Sequence, residues 1–376
     1  TRILAGPDVA RHANELNNKL TSYRGRMFYD IGDNSFSAGF EREKLDVFNL
    51  FLQRSEGEFT FNTVANLQAA LPDQVRYQNA IVDANGDGLR NELDAAAKFE
   101  YTTDSLYAQD TLRITQSLSV TAGARYVRLS QSDKPIANSF FANRYGFSNS
   151  ENLDGRNVML PRVSFDWRPE VDKWHISNVR LTGGAGLFSG GAATVWVSNS
   201  FSNTGVLAAD ISCIRGATSA NCGTAAGTTD NTVLATLNNY KDISAAFEAL
   251  LDPTKPTIVN IQRAAGVNGI APGFQPVSTW KSSFTFAADL DLGFLGSRYN
   301  FTLDFLRGDI NNAVIWRDYR AGLTPQGYAP DGRPIYRNAA QRGLFVTGTA
   351  TNDTGSDYIL TNSKEGWQQT LAVSLS

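Results

Sequence analysis

Apolar and polar residues alternate with a period of two along much of the chain, which is the repeat of a β-strand whose two faces meet different surroundings. In residues 118–126 every second residue is apolar or aromatic, and the residues between them are Ser, Thr, Gly and Arg. The same alternation is found in residues 36–41, 163–167, 284–290, 299–305 and 371–375. Beyond residue 41 the phase slips near Arg42. The pattern predicts an all-β fold of long amphipathic strands.

The connections between these predicted strands differ in length on the two sides. Short connections are expected at residues 31–34, 115–117, 169–173 and 291–297. Long polar connections are expected at residues 54–98, 130–159, 189–276 and 309–358. Short turns at one rim and long loops at the other are typical of an antiparallel transmembrane β-barrel, with periplasmic turns and extracellular loops. We therefore predict such a barrel, with 54–98 and 189–276 as extracellular loops.

A large soluble β-sandwich or propeller also alternates with a period of two, so the pattern has a second interpretation. Strands in soluble proteins usually run about 5–6 residues, whereas the alternation beginning at Leu118 continues to Leu129. In hydrocarbon every backbone N–H and C=O must be paired, so only helices or closed barrels can cross a membrane. The strand length and the unequal connections together favour the barrel.

Composition removes several other classes of protein. The chain has 376 residues, 34 Lys and Arg against 37 Asp and Glu, a net charge of −3, and 19% charged residues against 42% hydrophobic ones. High aromatic content and small net charge exclude intrinsic disorder, and a nucleic-acid binder would be more basic. No apolar run approaches the roughly 20 residues of a membrane-spanning helix. The chain begins at Thr1 without a recognisable targeting peptide and ends within a strand pattern, so we expect an excerpt of a longer protein.

Several segments together carry a resemblance to a known family. Residues 106–114 (LYAQDTLRI) and 118–126 (LSVTAGARY) resemble the central hairpin of TonB-dependent outer-membrane receptors. Their flanking strands are similar to residues 36–41 (FSAGFE), 45–51 (LDVFNLF), 160–167 (LPRVSFDW) and 180–190 (RLTGGAGLFSG). Residues 195–199 (VWVSN) and 202–205 (SNTG) resemble the Oar-like branch, whose members carry a carboxypeptidase-regulatory-like domain.

The resemblance implies an active transporter of the Gram-negative outer membrane. It implies a 22-stranded barrel in contact with membrane lipid, a plug domain inside it, and a TonB box that binds the energy-transducing TonB protein. None of this sequence matches the plug or the TonB box, and about ten to fourteen strands can be counted, so residues 1–376 are expected to form part of the barrel domain. The small solute that such a receptor would import is not identified by the sequence.

The sharpest local motif is the Asp- and Asn-rich run at residues 83–94, which matches an EF-hand-type loop. Gly88 occupies the position of the sharp turn. Asp94 occupies the last ligand position, where an EF-hand loop usually has the longer Glu. The predicted calcium ligands are Asp83, Asn85, Asp87, the carbonyl of Leu89, Asn91 and Asp94. The alternative is a polar turn whose charges are only solvated. Calcium would be structural here, and this shorter side chain predicts weak binding.

Cys213 and Cys222 are the two cysteines of the chain, and they lie close together in a polar Gly/Ala/Ser/Thr stretch. Such a pair predicts a disulfide in an oxidising compartment, with a metal pair or two free thiols as alternatives. Neither His12 nor His175 is near them in sequence to complete a zinc site. No catalytic constellation or phosphate-binding glycine motif is evident, so no enzyme is predicted.

Charged residues on the polar side of the predicted strands are expected to line a watery lumen. The carboxylates are Glu41, Glu43, Asp166, Asp289 and Asp304, with Arg125, Arg162 and Arg180 as partners. The first functional hypothesis is a TonB-dependent transporter of an unidentified solute. The second is a non-transporting outer-membrane assembly protein whose loops bind a partner. A secreted soluble calcium-binding β protein fits the local motifs but not the unequal connections.

Overall fold

The computed structural model describes residues 5–171, 175–190, 194–217, 243, 250–296 and 299–376. The strands of this part are β1 (Ala13–Ile31), β2 (Asn34–Leu52), β3 (Glu58–Thr60), β4 (Gln74–Ala80), β5 (Ala97–Arg113), β6 (Leu118–Ser130), β7 (Asn157–Trp167), β8 (Ile176–Ser189), β9 (Ala208–Ile214), β10 (Asn268–Ile270), β11 (Ser278–Leu290), β12 (Tyr299–Asp318), β13 (Gly327–Tyr328), β14 (Pro334–Ile335), β15 (Tyr358–Ser363) and β16 (Trp367–Leu375). The α-helices are α1 (Val64–Gln68), α2 (Ser139–Tyr145), α3 (Thr194–Ser202), α4 (Pro256–Ala264) and α5 (Ala339–Thr347). Short 3-10 helices occupy Val9–Arg11, Glu92–Ala95 and Gly293–Leu295. No helix in these ranges is long and apolar enough to cross a membrane.

The long strands form one antiparallel sheet in the order β1-β2-β5-β6-β7-β8-β11-β12. Beyond β12 the sheet continues through two short strands that lie end to end. β16 pairs with Phe301–Asp309 of β12, and β15 pairs with Ala313–Asp318. Together they act as one long strand interrupted at residues 364–366. The predicted large antiparallel sheet is confirmed, and the fold is mostly β, with helices and a parallel pair, β10 with β15, in addition.

The two faces of this sheet differ in polarity as the alternation predicts. Phe40 of β2 lies beside Leu106 of β5, which lies beside Tyr126 of β6, on what we call the apolar face. Tyr107 and its neighbour Arg125 point to the opposite side, the polar face. On β12 and β16, Phe301, Leu303 and Phe305 pair with Leu375, Val373 and Leu371 on the apolar face.

Short and long connections alternate along the meander. Residues 32–33, 114–117, 168–175 and 291–298 join neighbouring strands on one side, which we call the turn side. Residues 53–96, 131–156, 190–277 and 319–357 run between strands on the other side, which we call the loop side. The long connection predicted at 309–358 begins too early, because β12 continues to Asp318. The last residues of β12 pair with β15 beyond the amphipathic part of the sheet, where a strand does not need alternating apolar and polar side chains.

The phase slip at Arg42 marks the height at which the surroundings of the sheet change. Val47, which is closer to the loop side than Arg42, lies on the polar face but is buried. It packs in a core with Phe99 of β5, Phe201 of α3 and Phe274, and the rings of Phe99 and Phe201 are 4.7 Å apart. The long connections therefore cover the polar face on the loop side, and we call this covering layer, formed by β3, β4, β9, β10 and α1–α5, the canopy.

A small sheet of β3, β4 and β9 ties two long connections together in the canopy. β3 and β4 belong to connection 53–96, and β9 belongs to connection 190–277. Val75, Tyr77 and Ile211 of this sheet are fully buried, together with Ile258 of α4. Because these side chains come from both connections, neither connection can fold into this position without the other.

Candidate functional site

The polar face carries an ion cluster below the canopy. Glu41 Oε1 lies 2.8 Å from Arg24 Nε, and Glu41 Oε2 lies 2.6 Å from Arg125 Nη2. The Arg125 guanidinium also lies 5.8 Å from the ring centroid of Tyr107. Glu43 Oε1 lies 3.7 Å from Nη2 of the same Arg24 guanidinium. Two guanidinium groups thus face two carboxylates, and this cluster is neutral as a whole.

The other charged residues of the polar face follow the expected pairing only in part. Asp166 lies 2.6 Å from Arg180, which confirms that pair. Asp304 instead accepts a hydrogen bond from the hydroxyl of Thr285 at 2.6 Å, and Asp289 accepts one from the amide of Asn178 at 2.7 Å. For these two carboxylates the predicted arginine partners were wrong, because neutral donors lie on the adjacent strands.

A cavity of about 810 Å³ lies between the polar face and the canopy. Arg24, Tyr107 and Arg162 line it from the sheet, and Val197 and Phe274 line it from the canopy. Its size is within the range of small-molecule sites, and it combines apolar walls with a few polar groups. A solute could be held in this space.

A second cavity, of about 680 Å³, follows the polar face towards the turn side. The residues that line it include Gln109, Arg162, Phe188, Lys281 and Gln368. Arg162 was expected to pair with a carboxylate, but it donates a hydrogen bond to the side-chain oxygen of Gln109. Arg162 lines both cavities, so the two spaces meet at this residue.

A buried ion network holds the canopy together. Asp357 is fully buried, and its carboxylate lies 3.0 Å from Arg320 Nη2 and 3.2 Å from Arg144 Nη2. The hydroxyl of Tyr145 donates to the same carboxylate at 2.7 Å. Burial and the neighbouring Asp357 raise the pKa of Tyr145, so it stays protonated and donates. Sequence reasoning missed this network because its members lie far apart along the chain.

The predicted calcium motif forms a tight loop closed by its own hydrogen bonds. Asp83 accepts hydrogen bonds from the amides of Gly86 at 2.7 Å and Gly88 at 2.9 Å. Asp94 is buried and accepts from the amides of Ala84 and Asn85, each at 3.0 Å. Among the described residues no group of three or more His, Cys, Asp or Glu side chains is placed to hold a metal ion. Calcium binding stays a prediction.

The remaining motif oxygens also turn towards backbone amides. Asn85 accepts from the amide of Asp87 at 2.9 Å, and Asp87 accepts from that of Leu89 at 2.8 Å. Asn91 caps the 3-10 helix Glu92–Ala95 by accepting from the amide of Leu93 at 2.9 Å. These contacts account for the folded loop through the turn chemistry of Asp and Asn.

One of the two cysteines lies in the described part of the canopy. Cys213 is fully buried in β9, opposite Val75 of β4. Cys222 lies outside the described residues, so the disulfide stays a prediction.

Similarity to known proteins extends over most of the chain. A family model described as an outer membrane beta barrel domain matches residues 5–298. A search of curated proteins gave no match. Among solved structures, the copper transporter OprC is similar, with a TM-score of 0.41 and 9% sequence identity. That likeness covers 96% of this chain and 35% of the OprC chain, so this chain spans about a third of that structure's length.

Proposed function

We propose a transport function from one premise: the chain belongs to the outer membrane beta barrel domain family. It is therefore a protein of the outer membrane of a Gram-negative bacterium, and its apolar face contacts lipid. The function we propose is that of a TonB-dependent transporter, which takes up a small solute with energy supplied through the TonB protein. The segments that resemble such receptors support this proposal.

The observation that carries the proposal is the cavity of about 810 Å³ between the polar face and the canopy. A barrel that served only as an anchor would not need a cavity covered by packed loops and lined by charged and aromatic groups. We propose that residues 1–376 are part of a 22-stranded barrel. The connections predicted at 54–98 and 189–276 would be extracellular, and a plug and a TonB box would be supplied by other segments.

Contact with TonB can be tested without knowing the solute. The full-length protein would be expressed in its host and treated with a short cross-linker, and complexes would be identified by mass spectrometry. We expect a specific cross-link to TonB that is lost when the TonB box is deleted. A protein that reaches the outer membrane intact but never cross-links to TonB would contradict the proposal.

A second candidate function is supported by exposed apolar side chains of the long connections on the loop side. Val64 of α1 is 71% exposed and Tyr328 of the β13–β14 hairpin is 70% exposed. Such residues can bind a protein partner at the cell surface, as expected of an assembly protein. Val64→Ser and Tyr328→Ser should then abolish partner capture while solute uptake, if any, is unchanged.

We also propose that calcium stabilises the loop at residues 83–94, through oxygen ligands from Asp83, Asn85, Asp87, Leu89, Asn91 and Asp94. The donor set is made only of oxygens, which suits this ion. Asp87→Ala is the informative variant, because Asp87 is exposed and the Leu89 amide is the one described hydrogen-bond partner of its side chain. Calcium should raise the melting temperature of the native protein over an EGTA control and have less effect on the variant.

We also propose a disulfide between Cys213 and Cys222, as the sequence predicts. Alkylation of the unfolded protein should add two groups after reduction and none before it. Two groups added without reductant would contradict a disulfide.

A further inference from the structure

A row of residues crosses the polar face at one height, where long polar side chains alternate with glycine. Arg162 of β7 lies opposite Gly186 of β8, which lies opposite Lys281 of β11. Lys281 in turn lies opposite Gly308 of β12, and Gly308 lies opposite Gln368 of β16. We call this row the cationic ledge, because Arg162 and Lys281 are its charged members.

The glycines keep the space beside the cations clear. A Cβ atom at Gly186 would lie 2.9 Å from Cβ of Arg162, and one at Gly308 would lie 3.2 Å from Cγ of Gln368. A larger residue at Gly186 would therefore collide with Cβ and the backbone of Arg162, and one at Gly308 would displace the Gln368 side chain. The same arrangement continues on the other flank, where Gly123 lies between Gln109 and Arg162, the two side chains that share a hydrogen bond.

The charge of the ledge is not balanced by the described part of the protein. Neither Arg162 nor Lys281 forms an ion pair with a described residue, and no carboxylate is among the described residues that line this cavity. Lys281 Nζ instead lies 5.8 Å from the ring centroid of Phe188. Of the carboxylates on the same face, Asp166 forms an ion pair with Arg180, and Asp304 accepts a hydrogen bond from Thr285.

We propose that the cationic ledge binds the acidic groups of the transported solute, so that the solute carries at least two carboxylate or phosphate groups. Two strand spacings of about 4.8 Å separate the backbones of Arg162 and Lys281. Both side chains are long, so one polyanion can contact both. A guanidinium binds carboxylate or phosphate through paired N–H donors, and an ammonium binds them as a point charge. This inference rests on the proposed transport function, because it takes the polar face to line the path of the solute.

The binding test uses a rigid probe and its uncharged counterpart. Benzene-1,3,5-tricarboxylate and the corresponding triamide would be titrated into the purified full-length protein in detergent by calorimetry at low salt. We expect saturable binding of the tricarboxylate and none of the triamide. The double variant Arg162→Gln, Lys281→Gln should weaken tricarboxylate binding at least tenfold, and added salt should do the same to the native protein.

The control variant is Arg180→Gln, which removes a cation of the same face that Asp166 already neutralises. It should leave the dissociation constant within about twofold of the native value. Equal binding by the native protein and the double variant would overturn the proposal, as would equal binding of the triamide. The absence of saturable tricarboxylate binding by the native protein would also overturn it.

Uptake experiments separate this inference from the transport function itself. If cells take up an anionic solute only with TonB present, and the double variant takes it up equally well, transport stands and the ledge is wrong. If the tricarboxylate binds through the ledge but the protein has no TonB-dependent uptake, the ledge stands and the transport function is wrong.

Discussion

Arg320 is the largest fully buried side chain of the described residues, and its position explains how loops from distant parts of the sequence hold one shape. Its guanidinium contacts Asp357 at 3.0 Å and Asp353 at 3.3 Å, and it donates to the carbonyl of Ala264 at 2.8 Å. A buried charge is tolerated only when partners compensate for the lost water. Burial alone would lower the pKa of Arg320, but Asp357, Asp353 and Tyr145 together outweigh burial and raise that pKa, so the arginine stays charged.

Asp357→Asn should therefore unfold the canopy more readily than a surface change of the same kind. Removing one partner of a buried pair costs about 3–5 kcal/mol, because the other charge is left unpaired. Urea titration can follow this through the fluorescence of Trp196 and Trp316, whose rings lie 5.7 Å apart in the canopy core.

The matched control for this substitution is Asp331→Asn. Asp331 pairs at 2.6 Å with Arg333, whose side chain is 81% exposed. Exposed pairs contribute about 0–1 kcal/mol, so the urea midpoint should barely move. If both variants shift the midpoint equally, the buried network does not stabilise the canopy.

Asp73 gives the canopy a dependence on pH. Its carboxylate accepts a hydrogen bond from the Asn62 amide at 2.6 Å and from the Asn66 side chain at 2.9 Å, and these contacts lower its pKa. A carboxyl whose folded pKa is lowered stabilises fully above its unfolded value of about 3.9. That stabilisation is lost as pH falls through the lower folded pKa.

Hydrogen exchange of the Asn62 amide can measure this effect. Its protection, corrected for the intrinsic exchange rate, should be constant from pH 7 to 5 and fall towards pH 3. Asp73→Asn should show weaker protection with no such fall. A native protein whose protection is the same at pH 5 and pH 3 would contradict the assignment.

Among the strands, β12 illustrates how one element meets two environments. Leu303 lies on the apolar face between Phe286 and Val373, and its neighbour Thr302 points to the polar face. Leu303→Arg should destabilise the protein in a bilayer by about 2–4 kcal/mol, because a cation would face hydrocarbon. Thr302→Arg should be tolerated. Folding into lipid vesicles, measured by urea titration, compares the two, and equal destabilisation would mean that these faces are assigned the wrong way round.

The sequence predicts this amphipathic half of β12 but not the other half. Residues 299–305 alternate cleanly, whereas Asn311, Asn312 and Asp318 interrupt the pattern although β12 continues through them. There the strand pairs with β15 on the loop side, and pairing depends on backbone hydrogen bonds that any side chain allows. Alternation therefore depends on the surroundings of the two faces of a strand. Where both faces meet water, or both are covered by other parts of the protein, the sequence of a strand need not alternate.

The candidate site was predictable to a smaller extent than the strands. Glu41 and Arg125 could be assigned to one face from their parity alone, and their pairing is confirmed at 2.6 Å. The cationic ledge could not be predicted, because Arg162 and Lys281 become neighbours only through the register of three strands. The canopy network has the same origin, since Tyr145 and Asp357 are separated by a large part of the chain.

In the described part of the chain the large sheet is open, with one edge at β1 and another at β16. Among the described residues β1 pairs only with β2, and β16 pairs only with β12. In hydrocarbon an unpaired N–H or C=O costs several kcal/mol, so an open edge as long as β1, with 19 residues, cannot persist in the membrane. We expect the outward amides of β1 to be paired with a further strand in the complete barrel.

Hydrogen exchange of the full-length protein in lipid nanodiscs would test closure. All amides from Tyr23 to Met27 should be protected, including those that do not donate to β2. In a closed barrel these alternate amides donate to a further strand on the other side of β1. Exchange of every second amide at the rate of an unfolded peptide would mean that β1 remains an edge. The internal reference is β5, whose amides are paired on both sides by β2 and β6 in this structure and should be protected in either case.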